Sequence, residues 1–332
     1  MGNVRVADVA RSAGVSAGTV SNYLNQPELL APETIQRVRA AIDELGYVRN
    51  VSARSLRTGR ASSVGLLMLD ISNPFFMEFV DGAEAVALAA GYAAILGNSR
   101  ESAATEARYL DVFAAQQVSG IILVPVGNAR KRMTQFRDAG TPCVLIDDAD
   151  DLDDFCTVAV SDRLGGGMAI RHLVSVGRRD LVVLTGPRRI HQVHARVEGA
   201  IESARAAGAS ITEVRATAFT TNAAWKAMSG ALAARPANGF DGVFAANDVM
   251  AIGALQAIHE AGLDCPGDIA LVGCDDIAYA GALSPGLTSI RQPAREMGAE
   301  AMRLLVEEMT GVEGHYHHRV VFKPSLVRRE TA

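Results

Sequence analysis

Aromatic side chains are scarce in this 332-residue chain, at 5% of residues against 49% hydrophobic overall, so Ala, Val, Leu and Ile must fill most of any core. No apolar run reaches the ~20 residues that a membrane-spanning helix needs, so no membrane partner is expected. The start, Met1 to Arg11, holds charges and no apolar stretch, and is not read as a signal peptide. Cys143, Cys156, Cys265 and Cys274 show no metal-ligand spacing, and are expected as buried, reduced thiols of a cytoplasmic protein. Gly165-Gly166-Gly167 is not followed by Gly-Lys-Ser/Thr, so it is no phosphate cradle of the Walker type and more plausibly eases a helix start. The acidic run from Asp147 to Asp154 lacks the glycine and the closing glutamate of a calcium loop and reads as a surface connection, Asp147 apart. His315 and His317 would share one face of a strand, and an exposed terminal strand is expected there rather than a metal site. No metal and no cofactor is expected.

Charge is unevenly spread. Residues 1–60 hold eight arginines, no lysine and five acids, a formal +3, while the rest of the chain holds 24 basic and 32 acidic side chains, a formal −8. A basic head on an acidic body indicates that only the head meets phosphate.

The head has its own pattern. Val6, Val9, Ala10 and Ala13 recur at helical spacing, Gly14 allows a positive-φ turn, and Ser16 is a good N-cap for a second helix striped by Val20 and Leu24. Asn25 and Pro27 end that helix. Pro32 opens a third, striped by Ile35, Val38, Ile42 and Leu45 and closed by Gly46. Three short helices with a tight glycine turn between the first two predict a helix-turn-helix over residues 1–49.

The runs Val6-Ala7-Asp8-Val9-Ala10, Ala13-Gly14-Val15-Ser16 and Thr19-Val20-Ser21-Asn22-Tyr23-Leu24-Asn25 resemble the head of the lactose/galactose repressor (LacI/GalR) family. Glu44-Leu45-Gly46-Tyr47 and Asn50…Ala53-Arg54-Ser55-Leu56-Arg57 continue the resemblance. It implies that the second helix enters the major groove and that Ala17, Gly18 and Asn22 face base edges. Of these only Asn22 can pair bidentately, with adenine, while Ala17 can touch a thymine methyl. Thr19, Ser21 and Asn25 suit phosphate oxygens. Residues 50–60 resemble the family's hinge, in which Asn50, Ala53 and Arg54 approach DNA and Leu56 wedges into the minor groove. The family's proline before Asn50 is replaced here by Arg49.

From Ser63 onward short apolar runs alternate with helical stretches. Strands are predicted at 64–69, 93–96, 120–124 and 143–146, and again at 158–160, 181–184, 214–216, 242–245 and 269–272. Helices are predicted at 78–90, 105–117, 165–176 and 249–260, among others. Strand–helix alternation implies parallel sheets covered on both faces, and nine or more strands suit two doubly wound lobes better than one. The expected fold is therefore α/β, with an all-α head and a two-lobed body over 61–332. Lobe 1 is placed at about 61–160 plus 292–320, and lobe 2 at about 161–291 plus a C-terminal strand.

This body is similar to the periplasmic sugar-binding fold that the same family uses as its sensor. The resemblance is carried by Asn73-Pro74-Phe75-Phe76, Asp162 with Gly165-Gly166, Gly186-Pro187, Arg196 with Glu198-Gly199, Asn247-Asp248, Gly273-Cys274-Asp275 and Arg291-Gln292-Pro293. Each polar match lies at or just past a predicted strand end, where doubly wound sheets bind ligands. Phe75, Phe76 and Phe219 are candidates to cover sugar ring faces. Asp147, Asn247, Asp275 and Gln292 are candidates to take hydroxyls, Arg196 supplies a fork of donors, and the resemblance adds Asn73, Asp162 and Gln192 to the effector site. Asp148 stands where the pattern usually has arginine. The basic stretch from Arg188 to His194 invites an anion, but a solvated surface loop is the stronger expectation.

The reading is a homodimeric DNA-binding repressor on a near-palindromic operator, controlled by a small effector, most plausibly a sugar. A transport-type solute-binding protein would explain 61–332 but has no use for 1–60. An enzyme is not expected, because no nucleophile–base pair stands apart from groups already explained by binding.

Overall fold

The structure is a computed structural model, and it describes residues 4–47, 62–126, 130–147, 154–187, 190–234 and 239–332. The chain divides into a small unit, Met1–Ala61, and a large one, Ser62–Ala332.

In the small unit, α1 (Val6–Ala13) ends at Gly14 with φ 64°, the left-handed value that glycine adopts without strain. Helix α2 (Ala17–Asn25) starts where the Ser16 side chain accepts the Thr19 N–H at 3.0 Å. A 3-10 turn (Pro27–Leu29) leads to α3 (Pro32–Leu45), which begins on Pro32 and ends on Gly46 at φ 60°. Val9, Ala10, Ala13, Val20, Val38 and Ala41 form its buried core, with Leu24, Ile42 and Leu45 packed at the edge. The stripes expected from helical spacing meet there apart from Ile35, and Ala41 joins them.

The large unit holds two six-stranded sheets. The first is built from β1 (Ser63–Met68), β2 (Ala93–Asn98), β3 (Ile121–Leu123), β4 (Cys143–Ile146), β5 (Cys156–Val160) and β11 (Arg319–Phe322), in the order β11-β5-β4-β3-β1-β2, all parallel. The second holds β6 (Asp180–Thr185), β7 (Ser210–Arg215), β8 (Gly242–Ala245), β9 (Ala270–Asp275), β10 (Thr288–Arg291) and β12 (Ser325–Val327), in the order β12-β10-β9-β8-β6-β7. Only β12 runs antiparallel there, against β10. Central strands are buried along their length, β3, β4, β5, β8 and β9 without exception, as parallel strands covered on both faces must be.

Helices α4 (Pro74–Ala89), α5 (Ala103–Ala115), α6 (Arg130–Asp138) and α11 (Ala294–Thr310) accompany the first sheet. Helices α7 (Asp162–Ser175), α8 (His191–Ala206), α9 (Thr221–Ala233) and α10 (Asp248–Glu260) accompany the second. Two helix pairs cross at reciprocal glycines. Between α4 and α11, a Cβ on Gly82 would meet the Arg295 carbonyl oxygen at 2.0 Å, and one on Gly298 the Phe79 oxygen at 1.9 Å. Between α7 and α8, a Cβ on Gly166 would meet the Arg196 oxygen at 1.9 Å, and one on Gly199 the Arg163 oxygen at 1.9 Å. Backbones approach there as closely as only glycine permits.

The chain passes between the sheets three times, by very short connections: Ser161 from β5 to α7, Gln292-Pro293 from β10 to α11, and Lys323-Pro324 from β11 to β12. Several elements differ from the sequence expectation for physical reasons. Helix α4 starts at Pro74 rather than 78, because Asn73 caps it by accepting the Phe75 N–H at 3.1 Å. Strand β7 spans 210–215 rather than 214–216, because it is a half-exposed edge strand with no apolar run to mark it. Residues 315–318 are not part of a strand; they precede β11, and Cys156, Glu307 and Glu308 lie beside them.

Candidate functional site

In the head, the described residues nominated for DNA lie on α2. On α2, Ala17, Gly18, Asn22 and Asn25 are exposed, and Thr19 and Ser21 are partly exposed. The Thr19 hydroxyl shares a 2.9 Å hydrogen bond with the Ser16 hydroxyl, and the Asn25 amide donates to the Ser21 carbonyl at 2.5 Å. Both polar groups therefore serve the helix as well as facing outward, which leaves Asn22 as the long amide on the exposed face. Asn50, Ala53, Arg54 and Leu56, assigned to the hinge, lie outside the described residues, as does Asp148.

The second site is a cleft between the two sheets of the large unit. It opens at the carboxyl ends of the strands, beside the points where strand order reverses between β1 and β3 and between β6 and β8. Ten of the eleven residues nominated from sequence line it: Asn73, Phe75, Phe76, Asp147, Gln192, Arg196, Phe219, Asn247, Asp275 and Gln292. The eleventh, Asp162, stands behind Arg196 in an adjoining recess and not on the cleft wall. This placement corrects a direct ligand role to that of a support.

A single buried cation organises the floor. The Arg196 Nε and Nη2 donate to Asp162 Oδ1 at 2.9 and 2.6 Å, and its Nη1 donates to the Ala246 carbonyl and lies 4.0 Å from Asp275 Oδ1. Asp275 in turn accepts from Asn73 Nδ2 at 3.1 Å and Gln292 Nε2 at 2.6 Å. Because Asn73 opens α4 and Asp275 closes β9, the first of these bonds runs from one lobe to the other. Asp147 accepts the Val160 N–H at 3.1 Å. Asn247 caps α10, its Oδ1 taking the Met250 N–H at 2.8 Å, so its amide nitrogen is the group left to donate.

Two buried carboxylates, Asp162 and Asp275, flank that guanidinium, and a third, Asp147, feels its charge and that of Arg319 from further off. Burial pushes Asp147 up to about 8, with the Asp162 charge adding to the rise. Burial also pushes Asp275 up to about 6, against the pull of Arg196 and the amides of Asn73 and Gln292. Asp162 is raised by burial and pulled back by Arg196. Opposite them, Phe75 and Phe76 pack edge to face, ring centres 5.2 Å apart, on the helix that Asn73 caps.

Sequence reasoning passed over Leu69, Asp70, Glu101, Ile190, Val193 and Ala246, which also line the cleft. Asp70 and Glu101 follow the ends of β1 and β2, so position at a strand end was the available signal, whereas the others were nominated through the family resemblance. The stretch after Arg189 is not the expected solvated loop: residues 191–194 form the first turn of α8, and Ile190 and Val193 are buried. Arg188 and Arg189 lie outside the described residues. Asp248, not nominated, is fully buried beneath the site, where it accepts from the Ser289 hydroxyl at 2.6 Å and the Ile277 N–H at 2.9 Å. Among the described residues no helix is long and apolar enough to cross a membrane.

Comparison with known proteins matches residues 5–50 to "Bacterial regulatory proteins, lacI family" and residues 170–332 to "Periplasmic binding protein-like domain". The chain is 32% identical over 332 residues to the HTH-type transcriptional repressor PurR of Pectobacterium carotovorum subsp. carotovorum, covering 98% of this chain and 96% of that one. It is 33% identical over 330 residues to the ribose operon repressor of Escherichia coli K12, covering 98% of each. Among solved structures, the lac repressor dimer bound to operator and the anti-inducer ONPF superposes with a TM-score of 0.84 at 25% identity, over 99% of both chains.

Proposed function

This chain belongs to the lacI family of bacterial regulatory proteins, and from that premise we propose a sugar-responsive repressor that reads DNA as a homodimer. It is a DNA-binding transcriptional repressor under the control of a small effector. In the proposed division of labour, residues 1–49 read the operator, 50–60 act as the hinge, and 61–332 sense the effector and dimerise. A two-fold dimer calls for a near-palindromic operator, and the relative solved as an operator-bound dimer supports that arrangement. Such a protein acts in the cytoplasm, where its DNA is.

The observation that carries the sugar reading is the composition of the cleft: acids and amides anchored on one buried arginine, facing a pair of crossed phenylalanines. A monosaccharide or close derivative offers adjacent hydroxyls to Asp147, Asn247, Asp275 and Gln292, and an apolar ring face to Phe75, Phe76 or Phe219. The name of the ribose operon repressor among its relatives agrees with that class. Hydroxyl donors would stabilise the ionised form of Asp147 and Asp275, replacing the water that burial removes. Ligand bridging the lobes favours one lobe arrangement over the other, which changes how two hinges meet over DNA. The cleft is proposed to bind without turnover, since its carboxylates are held by Arg196, Asn73 and Gln292 rather than paired with a nucleophile.

The test has two stages. A thermal-shift panel of pentoses, hexoses, nucleosides and phosphosugars finds the stabilising class, and operator binding is then measured with and without the best ligand. A sugar should raise the melting temperature and change operator affinity at least tenfold. Stabilisation by nucleosides alone, or operator affinity indifferent to a saturating sugar, would overturn the reading, and recovery of a chemically altered sugar would overturn the absence of turnover.

A further inference from the structure

Away from the cleft, at the opposite end of the first sheet, three metal-ligating atoms converge. Cys156 is the first residue of β5 and is fully buried. Its Sγ lies 3.6 Å from His315 Nε2 and 3.8 Å from His317 Nδ1, and all three atoms fall within 4.8 Å of one another. The two imidazoles stand edge to face at 89°. Around them, at the end of α11, Glu308 Oε2 lies 3.9 Å from His317 Nδ1 and Glu307 Oε2 lies 3.4 Å from His315 Nδ1. The Glu308 oxygen and His315 Nδ1 are both buried without a hydrogen bond.

Protein atoms alone do not satisfy this arrangement. The thiol and the two rings can hydrogen-bond among themselves at 3.6 and 3.8 Å, but that leaves Glu308 Oε2 and His315 Nδ1 buried without a partner. The same distances are the edges of a coordination tetrahedron. With metal–sulfur and metal–nitrogen bonds of about 2.3 and about 2.05 Å, tetrahedral geometry separates S and N by about 3.6 Å. A carboxylate on the far nitrogen of a ligating histidine is the usual support for such a ligand, and Glu307 stands at that place against His315.

We propose that Cys156, His315 and His317 bind a single Zn2+-type divalent cation, with Glu307 orienting His315 and Glu308 beside His317. The thiolate and imidazole donors select a borderline metal over Mg2+ or Ca2+. Binding displaces the Cys156 proton to solvent and involves no redox step. Bound there, the cation ties the last turn of α11 and the segment before β11 to the start of β5, clamping the edge of the first sheet at the end remote from the effector cleft.

Tag-free full-length protein, freed of metal with a chelator, is titrated with Co2+ as the spectroscopic probe and with Zn2+ in competition. Expected are one Co2+ per chain, tetrahedral ligand-field bands, a thiolate-to-cobalt charge-transfer band, and a melting temperature raised by Zn2+. Cys156→Ser should abolish the charge-transfer band. His317→Ala, a half-exposed position that should not disturb folding, should weaken Zn2+ at least tenfold and remove the thermal shift. No saturable Co2+ uptake by the wild type overturns the site, as does an unchanged spectrum in Cys156→Ser. Should Cys156→Ser not fold, an unchanged Zn2+ affinity in His317→Ala does the same.

Discussion

The triplet Gly165-Gly166-Gly167 offers three adjacent tests of how helix packing sets the cleft. At Gly166 an added Cβ would sit 1.9 Å from the carbonyl oxygen of Arg196, while real Cβ atoms essentially never come closer than 3.0 Å, so α7 and α8 must part by at least about 1.1 Å. The obstacle is backbone and cannot rotate away. Because α7 carries Asp162 and α8 carries Arg196, parting the helices stretches the 2.6 Å contact between Arg196 Nη2 and Asp162 directly. At Gly165 the same methyl meets Ile290 Cγ2 at 3.4 Å and Pro324 at 3.6 Å, ordinary contact. At Gly167 it meets the ends of Arg171 and Ser203, both at 2.8 Å, which can turn aside. Gly166→Ala should therefore cost about 3 kcal/mol, a fall in melting temperature of roughly 6 °C or more, with effector affinity down at least tenfold. Gly165→Ala should stay within about 0.5 kcal/mol of wild type, and Gly167→Ala should fall between. Differential scanning calorimetry of the three variants, with and without effector, decides it. Equal stability of Gly166→Ala and Gly165→Ala would refute the reasoning.

Other consequences follow from the same residues. Arg196→Met strands the Asp162 and Asp275 carboxylates in a dry floor and should cost about 3–5 kcal/mol by urea unfolding; a loss under 1 kcal/mol would contradict the placement of that cation. Asp147 has its folded pKa raised to about 8, above its unfolded value, so the stability it contributes is full at acid pH, declines from about pH 4, and is gone above about pH 8. In effector-free protein Asp147→Asn should accordingly gain on wild type as pH rises through that window and level off above it, measured as melting temperature; a gap that does not vary with pH would count against a raised Asp147. Asn22→Ala should relax base preference at one position of each half-site in a randomised-operator selection, with no change in the salt slope of binding; an unchanged preference would remove Asn22 as the base reader.

Periodicity and strand-end logic made much of this molecule legible. The helix stripes of the head pack as their spacing implied, since Val9, Val20 and Val38 are apolar at the positions that face inward. The polar cleft residues were legible through the family resemblance, and they meet because doubly wound sheets bring strand ends together whatever their separation in sequence. Ile190 and Val193 were not, because an apolar residue at a helix start looks like core, and both are buried. The β7 edge was obscured because half-exposed strands carry no apolar run. Asp162 was legible as a cleft residue but not as a support, since only the folded chain shows the guanidinium between it and the cavity. The cluster at His315 was hidden most completely: Cys156 comes 159 residues earlier, and only the parallel pairing of β11 with β5 carries the two together.

The three short connections between the sheets have a mechanical meaning. When two rigid bodies rotate about a pivot, atoms at the pivot barely move and those farther out sweep through the largest arcs. Gln292 sits on one of these connections and Asp162 follows directly on another, so the grip they provide, directly or through Arg196, is nearly the same whether the jaws are open or shut. In the proposed site they would recognise the ligand without reporting on conformation. A ligand biases the equilibrium only through contacts that differ between its two states, so the bias must come from groups far from the axis that meet across the gap, such as Phe75 and Asn73 on one jaw and Phe219 on the other. On the proposed site, effector identity and effector response would be written into separate residues, and a change at Phe75 or Phe219 should be able to turn an effector into a silent ligand that still binds.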